Sequence, residues 1–203
     1  YELESKQRSI YEELKKKAKA VLEDDTVTIA HKLTLFIRLQ QVLSGALPGD
    51  TADWVTLFDK PEDNPRIKAL QTILEGLQGE QVIIWCRFVD EIRQISQLLG
   101  NECVTFYGET KDRDLNLELF TSGKKRIMVA NTAIGGVGLN LVNAHYMIYY
   151  SNDYSYRNRD QSESRQYRIG QKQSVVIYDI IAEDSIDEII TNALRNKKDL
   201  AID

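Results

Sequence analysis

Short apolar segments, separated by stretches of helical periodicity, constrain the fold more than any other feature of the sequence. The predicted strands are Val82–Trp85, Val104–Tyr107, Arg126–Ala130, Met147–Tyr150 and Val175–Ile181. Amphipathic helices are predicted over residues 89–99, 113–120, 159–168 and 185–195. Strands this apolar need cover on both faces, as in parallel sheets built from βαβ units. The sequence therefore predicts an α/β fold, with a parallel sheet and helices on both of its faces.

The first part of the chain has a different pattern. Helices are predicted over Ser9–Leu22 and Thr28–Leu43, where apolar residues recur at helical spacing. Residues 46–66 hold all 3 prolines of the chain and are predicted to form a loop. We therefore divide the chain into an N-terminal helical lead-in and loop, residues 1–66, and an α/β domain, residues 67–203.

Charge and cysteine content narrow the classes of function. The net charge is −5, whereas a domain that binds nucleic acid by bulk electrostatics is normally basic. Cys86 and Cys103 lie too far apart for a CxxC motif, which argues against a zinc site or a disulfide framework. The apolar runs are too short to cross a bilayer. We expect a reducing, intracellular location, and because Tyr1 begins the sequence, a piece of a longer protein.

A glycine-rich segment, NTAIGGVGLNLVNA, follows the strand predicted to end at Ala130. Its glycines allow positive φ and close approach of the backbone to a ligand. A dinucleotide-binding fingerprint would need a further glycine where Leu141 stands, and a long helix after it. The segment therefore fits that fingerprint poorly, and a tight turn without a ligand is the other interpretation.

The segment RNRDQSESRQYRIGQK, which begins at Arg157, is strongly basic. On a helix, Arg165 and Arg168 project from one face, and Gln161 shares that face. Guanidinium groups donate forked hydrogen bonds and can neutralise charge on a transferring phosphoryl group. The pattern predicts a polyphosphate site, and a solvated basic helix face is the alternative.

Residues that usually hold the phosphates and magnesium of a nucleotide are missing from the sequence. No GxxxxGK[ST] loop occurs, and the GKK at Gly123 lacks the serine or threonine and the spacing. No acidic metal-binding box follows a strand either. This asymmetry is typical of one lobe of a two-lobed ATPase.

Taken together, these segments resemble the second lobe of superfamily-two helicases, and within them the Swi/Snf branch. The segments that carry the resemblance are HKLTLFIRLQQV from His31, VIIWCRF from Val82, FYGETKDRDLNLELF from Phe106, TAIGGVGLNL from Thr132, QSESRQYRIGQ from Gln161 and SIDEII from Ser185. The family's usual Trp-Asn-Pro is replaced here by Tyr154, Ser155 and Tyr156. The resemblance implies a RecA-like fold for the α/β domain.

The resemblance also implies roles for individual residues. Arg168 is expected to be the arginine finger, and Arg165 and Gln161 are expected to act with it at the ATP phosphates. The residues expected near the nucleotide sugar are Gly136, Gly138 and Asn140. The residues expected to contact DNA phosphates are Thr132, Arg87 and Arg113.

The implied activity is ATP-driven translocation on duplex DNA. ATP with Mg²⁺ would bind between this lobe and an N-terminal RecA-like lobe of the same parent chain, which would hold the metal and most of the phosphate contacts. A cytoplasmic or nucleoid location in a bacterium or phage is expected, with no membrane partner. The alternatives are a lobe of a strand-separating DNA or RNA helicase, a binding scaffold that has lost catalysis, and a dinucleotide-dependent enzyme.

The missing phosphate loop gives a first prediction. These 203 residues alone should not hydrolyse ATP and should bind DNA weakly if at all. Phosphate release from the purified chain, measured with and without duplex DNA, checks this. Robust DNA-stimulated turnover would contradict the interpretation of the chain as half of a motor.

Overall fold

The structure, a computed structural model, describes residues 1–23, 26, 28–48, 54–133, 141–166 and 174–202. Internal contacts divide the chain into two units. The helical unit comprises Tyr1–Ala69 and Ile181–Glu188, and the sheet unit comprises Leu70–Ile180 and Ile189–Asp203. The domain boundary proposed from the sequence, between residues 66 and 67, stays a prediction.

The helical unit is built on two packed helices, α1 (Ser5–Glu23) and α2 (Ile29–Ser44). The Thr28 hydroxyl caps α2 by accepting a hydrogen bond from the backbone of His31. Gly45 ends α2 with φ of 85°, and a Cβ at this position would lie 2.6 Å from the Asn64 amide nitrogen. Only glycine therefore satisfies both the backbone conformation and the close packing here.

The segment after α2 is more regular than the sequence predicted. It contains two short antiparallel strands, β1 (Ala46–Pro48) and β2 (Trp54–Thr56), and a 3₁₀ turn over Pro61–Asp63. Strands of this length are too short to show an alternation of apolar and polar residues. The prediction of a loop therefore rested on the prolines.

A buried ion pair crosses the helical unit. Arg66, which is fully buried, pairs with Asp187 and donates a 2.8 Å hydrogen bond to the Tyr1 hydroxyl. The Asp187 carboxylate also accepts from the backbone of Ala182. The pair connects the 181–188 segment to Arg66 and, through it, to Tyr1. Removal of either charge would leave the other one buried without its partner.

The sheet unit holds five parallel strands in the order β4-β5-β3-β6-β7. The strands are β3 (Val82–Cys86), β4 (Cys103–Phe106), β5 (Ile127–Asn131), β6 (Tyr146–Tyr149) and β7 (Val176–Asp179). The other helices are α3 (Pro65–Gly76), α4 (Val89–Leu99), α5 (Arg113–Thr121), α6 (Tyr156–Glu163) and α7 (Ile186–Ile202). The predicted α/β class and parallel sheet are confirmed.

Burial on both faces explains why these strands are so apolar. All of β3 is buried, and it pairs with β5 on one side and β6 on the other. One face of the sheet carries Ile83 and Trp85, which join a cluster that includes Phe120 of α5. The opposite side chains, Val82 and Ile84, are also fully buried. No helix that the structure describes is long and apolar enough to cross a membrane.

The helix predicted over residues 159–168 is shifted. α6 begins earlier, at Tyr156, because the Ser155 hydroxyl caps it by accepting from the backbone of Asn158. It ends at Glu163, and the backbone NH of Gln166 then bonds to the Glu163 carbonyl in a tighter turn. Gln161 and Arg165 are therefore not on one continuous helix, so the shared helical face argued from their spacing is wrong.

The central strand gives a prediction of stability. Ile84→Ala should lower the free energy of unfolding by about 2–5 kcal/mol, because it opens a cavity in a site with no exposed surface. Leu115→Ala is the control, since Leu115 is 53% exposed and its loss should cost no more than about 0.5 kcal/mol. Urea unfolding of the chain measures both, and equal losses would contradict the placement of β3.

Candidate functional site at the carboxyl edge of the sheet

Residues predicted to contact DNA phosphates follow three neighbouring strands at one edge of the sheet. Arg87 directly follows β3, Thr132 directly follows β5, and Arg113 begins α5 after β4. The carboxyl ends of parallel strands meet at the same edge, where open α/β sheets bind ligands. The sheet therefore gathers these residues at one edge.

A hydrogen-bond network fixes the backbone of Arg87. Its NH donates to the Ser151 hydroxyl at 2.8 Å, and its carbonyl accepts from the Asn131 side-chain amide at 2.8 Å. Ser151 in turn donates to the carboxylate of Glu91, which is 3% exposed. This carboxylate also accepts from the backbone of Phe88 at 3.0 Å, the first donor of α4. The ends of β3, β5 and β6 are thereby locked together around Arg87.

Sequence reasoning missed Asn131, Ser151 and Glu91 as parts of this edge. Glu91 stands three residues after Phe88, which is the spacing of a capping carboxylate. That signal could have identified it. Asn131 and Ser151 are polar residues that directly follow apolar strands, and only the strand order shows that both lie beside Arg87.

The guanidinium of Arg87 retains unused donor capacity. It lies over the Phe88 ring, 5.2 Å from the ring centre, and its Nη1 is buried without a hydrogen-bond partner among the described residues. Burial lowers the pKa of Arg87, and the charges of Asp153 and Glu91 oppose that shift. An arginine stays protonated at neutral pH, so the group is a partly desolvated cation.

Arg113 and Thr132 are less available. Arg113 donates from Nη2 to the carbonyl of Gly108 at 2.7 Å, which braces the loop after β4. Thr132 is 4% exposed. The Nε of Arg113, like the Nη1 of Arg87, is buried without a hydrogen-bond partner among the described residues, so Arg87 differs from it mainly in having its backbone fixed between three strand ends.

Residues predicted at the ATP phosphates lie on or just after α6. The Asp153 carboxylate supports the start of this helix by accepting from the backbone of Ser155 at 2.8 Å and from the side chain of Asn158 at 2.7 Å. Gln161 is half-buried in the last turn, and Arg165 is 8% exposed in the turn that follows. Four predicted site residues, Arg168, Gly136, Gly138 and Asn140, lie outside the described residues.

A second polar cluster, which the sequence did not predict, centres on Arg159 of α6. Arg159 donates to both carboxylate oxygens of Asp179, at 2.5 and 3.2 Å, and to Glu163 at 2.6 Å. It also donates to the Asn152 side chain at 2.9 Å and stacks on the Tyr149 ring, 3.4 Å from its centre. We call Arg159, Asp179, Glu163, Asn152 and Tyr149 the Arg159 cluster.

Burial and charge act against each other at the Arg159 cluster. Burial by itself would lower the pKa of Arg159, but the hydrogen bond to Asp179, the negative charges and Tyr149 outweigh it and raise that pKa. Burial raises the pKa of the Tyr149 hydroxyl, which shares a 2.5 Å hydrogen bond with Ser162. Arg159 is therefore a fixed cation that neutralises carboxylates inside the protein.

The donor chemistry at the end of α6 suits an anion. The guanidinium of Arg165 and the amide of Gln161 are donors that phosphate oxygens accept. The residues that the structure describes contain no cluster of three or more histidine, cysteine or acidic side chains able to hold a metal ion.

Comparisons with known proteins identify the type of domain. The sequence matches the profile of the helicase conserved C-terminal domain over residues 65–170. An ATP-dependent helicase of Mycoplasma genitalium is 29% identical over 98% of this chain, which covers 20% of that protein. The chain thus spans about a fifth of the length of this relative.

Solved structures agree with the fold. The C-terminal part of the Fun30 ATPase domain has a TM-score of 0.74 at 19% identity, with 95% of this chain and 86% of that chain covered. The Sulfolobus solfataricus SWI2/SNF2 ATPase core in complex with dsDNA has a TM-score of 0.67 at 25% identity, with 98% of this chain and 43% of that chain covered. The RecA-like architecture expected from the resemblance is confirmed.

The network around Arg87 can be tested by stability. Ser151→Ala should lower the free energy of unfolding by about 1–3 kcal/mol, because the buried Glu91 carboxylate and the Arg87 NH both lose a hydrogen bond. Ser122→Ala, which removes an exposed hydroxyl, is the matched control and should change it by no more than about 0.5 kcal/mol. Urea unfolding measures both, and a neutral Ser151→Ala would show that the network does not hold the edge.

Proposed function

Because the chain belongs to the helicase conserved C-terminal domain family and is similar to a SWI2/SNF2 ATPase core, we propose that it is the second motor lobe of a Swi/Snf-type, ATP-driven translocase on duplex DNA. The parent chain supplies the N-terminal RecA-like lobe, and ATP binds between the two. The carboxyl edge of the sheet faces the nucleotide and the DNA backbone.

The placement of Arg87 is the observation that carries this proposal. The residue follows the central strand, its backbone is fixed by Ser151 and Asn131, and its guanidinium has a buried donor with no partner among the described residues. Because Nη1 is enclosed in this conformation, a phosphate would be bound after the side chain turns outward, while the backbone stays in place. A contact to phosphate carries no sequence information, so DNA binding is expected to be independent of sequence and to weaken with salt.

The relatives support DNA as the substrate and ATP hydrolysis as the source of free energy. The Sulfolobus solfataricus SWI2/SNF2 core was solved with dsDNA, and the Mycoplasma genitalium relative is described as an ATP-dependent helicase. The duplex preference, the intracellular location and the use of Mg²⁺ are parts of the proposal for this chain. So are phosphate contacts by Thr132 and Arg113.

The ATPase role rests on α6 and the residues that follow it. Arg168 donates to the γ-phosphate oxygens when the two lobes close, and Arg165 and Gln161 bind beside it. ATP with Mg²⁺, held mainly by the N-terminal lobe, supplies the free energy for movement. An arginine finger increases the hydrolysis rate by about 10³- to 10⁵-fold. In this arrangement Gly136, Gly138 and Asn140 lie near the nucleotide sugar.

The proposal predicts the nucleic-acid dependence of ATP hydrolysis by the full-length protein. Duplex DNA should stimulate turnover, and Arg168→Ala should lower kcat by at least about 10³-fold because the transferring phosphoryl group loses its cation. Phosphate release is measured with duplex DNA, single-stranded DNA, RNA or no nucleic acid. Arg87→Ala should instead weaken DNA binding and leave turnover without DNA unchanged.

Arg126→Ala is the matched control, because Arg126 precedes β5 at the amino edge of the sheet, where it forms an ion pair with Glu102. It should leave both activities unchanged. Stimulation by single strands or RNA instead of duplex would identify a strand-separating helicase. No hydrolysis under any condition would identify a binding scaffold and overturn the proposal.

A further inference from the structure

We propose that Arg159 is a positioning residue for ATP hydrolysis: its buried pairing with Asp179 sets the position of α6, and through α6 the positions of Gln161 and Arg165. This inference rests on the proposed function. It assigns a mechanistic task to a cluster that does not itself contact the nucleotide.

The Arg159 cluster joins three elements of the sheet unit. Arg159 and Glu163 belong to α6, Asp179 ends β7, and the Tyr149 ring on which Arg159 stacks belongs to β6. Asn152, which follows β6, links that strand to β7 and α6, because its side chain donates to Asp179 at 2.8 Å and accepts from Arg159. One guanidinium therefore fixes α6 against the ends of two strands.

Charge makes this attachment specific. The Arg159 side chain is 12% exposed, and its partners Asp179 and Glu163 are 13% and 11% exposed. A single cation thus faces two carboxylates with little access to water. Without it the two negative charges would repel each other, and α6 would lose the attraction that holds it to β7. The forked geometry of arginine lets it bond Asp179 and Glu163 at once, which a lysine cannot reproduce.

A pocket of about 180 Å³ that is open to solvent adjoins the cluster and is lined by residues of α6, β7 and α7. Close packing is therefore incomplete on this side of α6, and the ion pair between Arg159 and Asp179 attaches α6 to β7 there.

A short path leads from Arg159 to the proposed phosphate-binding residues. The Ser162 hydroxyl donates to the Arg159 carbonyl at 2.7 Å and shares a hydrogen bond with Tyr149. Gln161 lies between Arg159 and Glu163, both of which the ion pairs restrain. Arg165 follows two residues later, and its carbonyl accepts from the backbone of Leu141 at 3.4 Å. A shift of α6 would displace Gln161 and Arg165 together.

The test compares Arg159→Ala, Arg159→Lys and Asp179→Asn with wild type in the full-length protein. We expect Arg159→Ala to lower kcat for DNA-stimulated ATP hydrolysis by about 10- to 100-fold, because a displacement of about 1 Å costs rate rather than binding. KM for ATP should change by less than about 3-fold, as expected when only transition-state contacts are lost. Arg159→Lys keeps the charge and should recover part of kcat, and Asp179→Asn should lower it.

Arg126→Ala is the matched control. Arg126 also forms an ion pair, with Glu102 at 3.0 Å, and donates to the carbonyl of Leu77, but it precedes β5 at the amino edge of the sheet. Its loss should leave kcat within about 2-fold of wild type, as expected for a surface substitution away from the site. Thermal unfolding of every variant separates lost stability from lost positioning. If Arg159→Ala does not fold, the kcat values of Arg159→Lys and Asp179→Asn test the inference instead.

Amide hydrogen exchange over residues 156–166 gives a second readout that does not depend on activity. Faster exchange in Arg159→Ala than in Arg126→Ala, with the loss of kcat, would support the inference. Unchanged kcat in an active enzyme, or a loss shared by Arg126→Ala, would overturn it while leaving the proposed function intact. If the wild-type protein has no ATPase activity, the proposed function is overturned. In that case, equal exchange over residues 156–166 in Arg159→Ala and Arg126→Ala would refute the positioning of α6 as well.

Discussion

The pairing of β3 with a parallel strand on each side is the constraint on which the rest of the sheet unit depends. A central strand that is buried on both faces and paired on both edges excludes charged and amide side chains. Val82–Cys86 contains no such side chain. Charged side chains are tolerated only outside the strand, and Arg87 directly follows Cys86. Charged side chains are therefore confined to the two ends of the strands, as with Arg126 before β5 and Arg87 after β3. Of these two edges, the carboxyl edge is the one at which open α/β sheets bind ligands.

The same constraint explains why polar networks collect at this edge. Each strand that leaves the sheet presents backbone groups that need partners in a poorly hydrated place. Asn131 and Ser151 supply partners for Arg87, and Glu91 joins Ser151 to the start of α4. At the ends of β6 and β7 the Arg159 cluster joins side chains to one another instead. Hydrogen bonds that satisfy the strand ends thus also fix the side chains that we propose to act on phosphates.

Local patterns predicted what local physics determines. The strands were found because both-face burial leaves uninterrupted apolar runs, and α4 was found with its observed limits because Val89–Leu99 is strongly amphipathic. The limits of α6 were missed, since a capping serine and a tight turn, rather than apolar periodicity, set them. The pairing of Arg159 with Asp179 could not be predicted, because it depends on β6 and β7 lying side by side. Only the shorter link to Glu163, four residues along the same helix, was visible in the sequence.

A net charge of −5 fits the proposed motor better than it fits a DNA-binding domain of the usual kind. Each phosphate neutralised by a cation adds about 0.9 to the slope of binding against salt, so a lobe with few such contacts holds DNA weakly by itself. A lobe that steps along DNA has to release one phosphate before it takes the next. On the proposed function, Arg87 is the local cation that binds a DNA phosphate, and the net negative charge of the chain disfavours long-lived binding. The carboxylates that neutralise Arg159 act in the same direction, because they keep that guanidinium inside the protein as a support for α6 and away from the DNA.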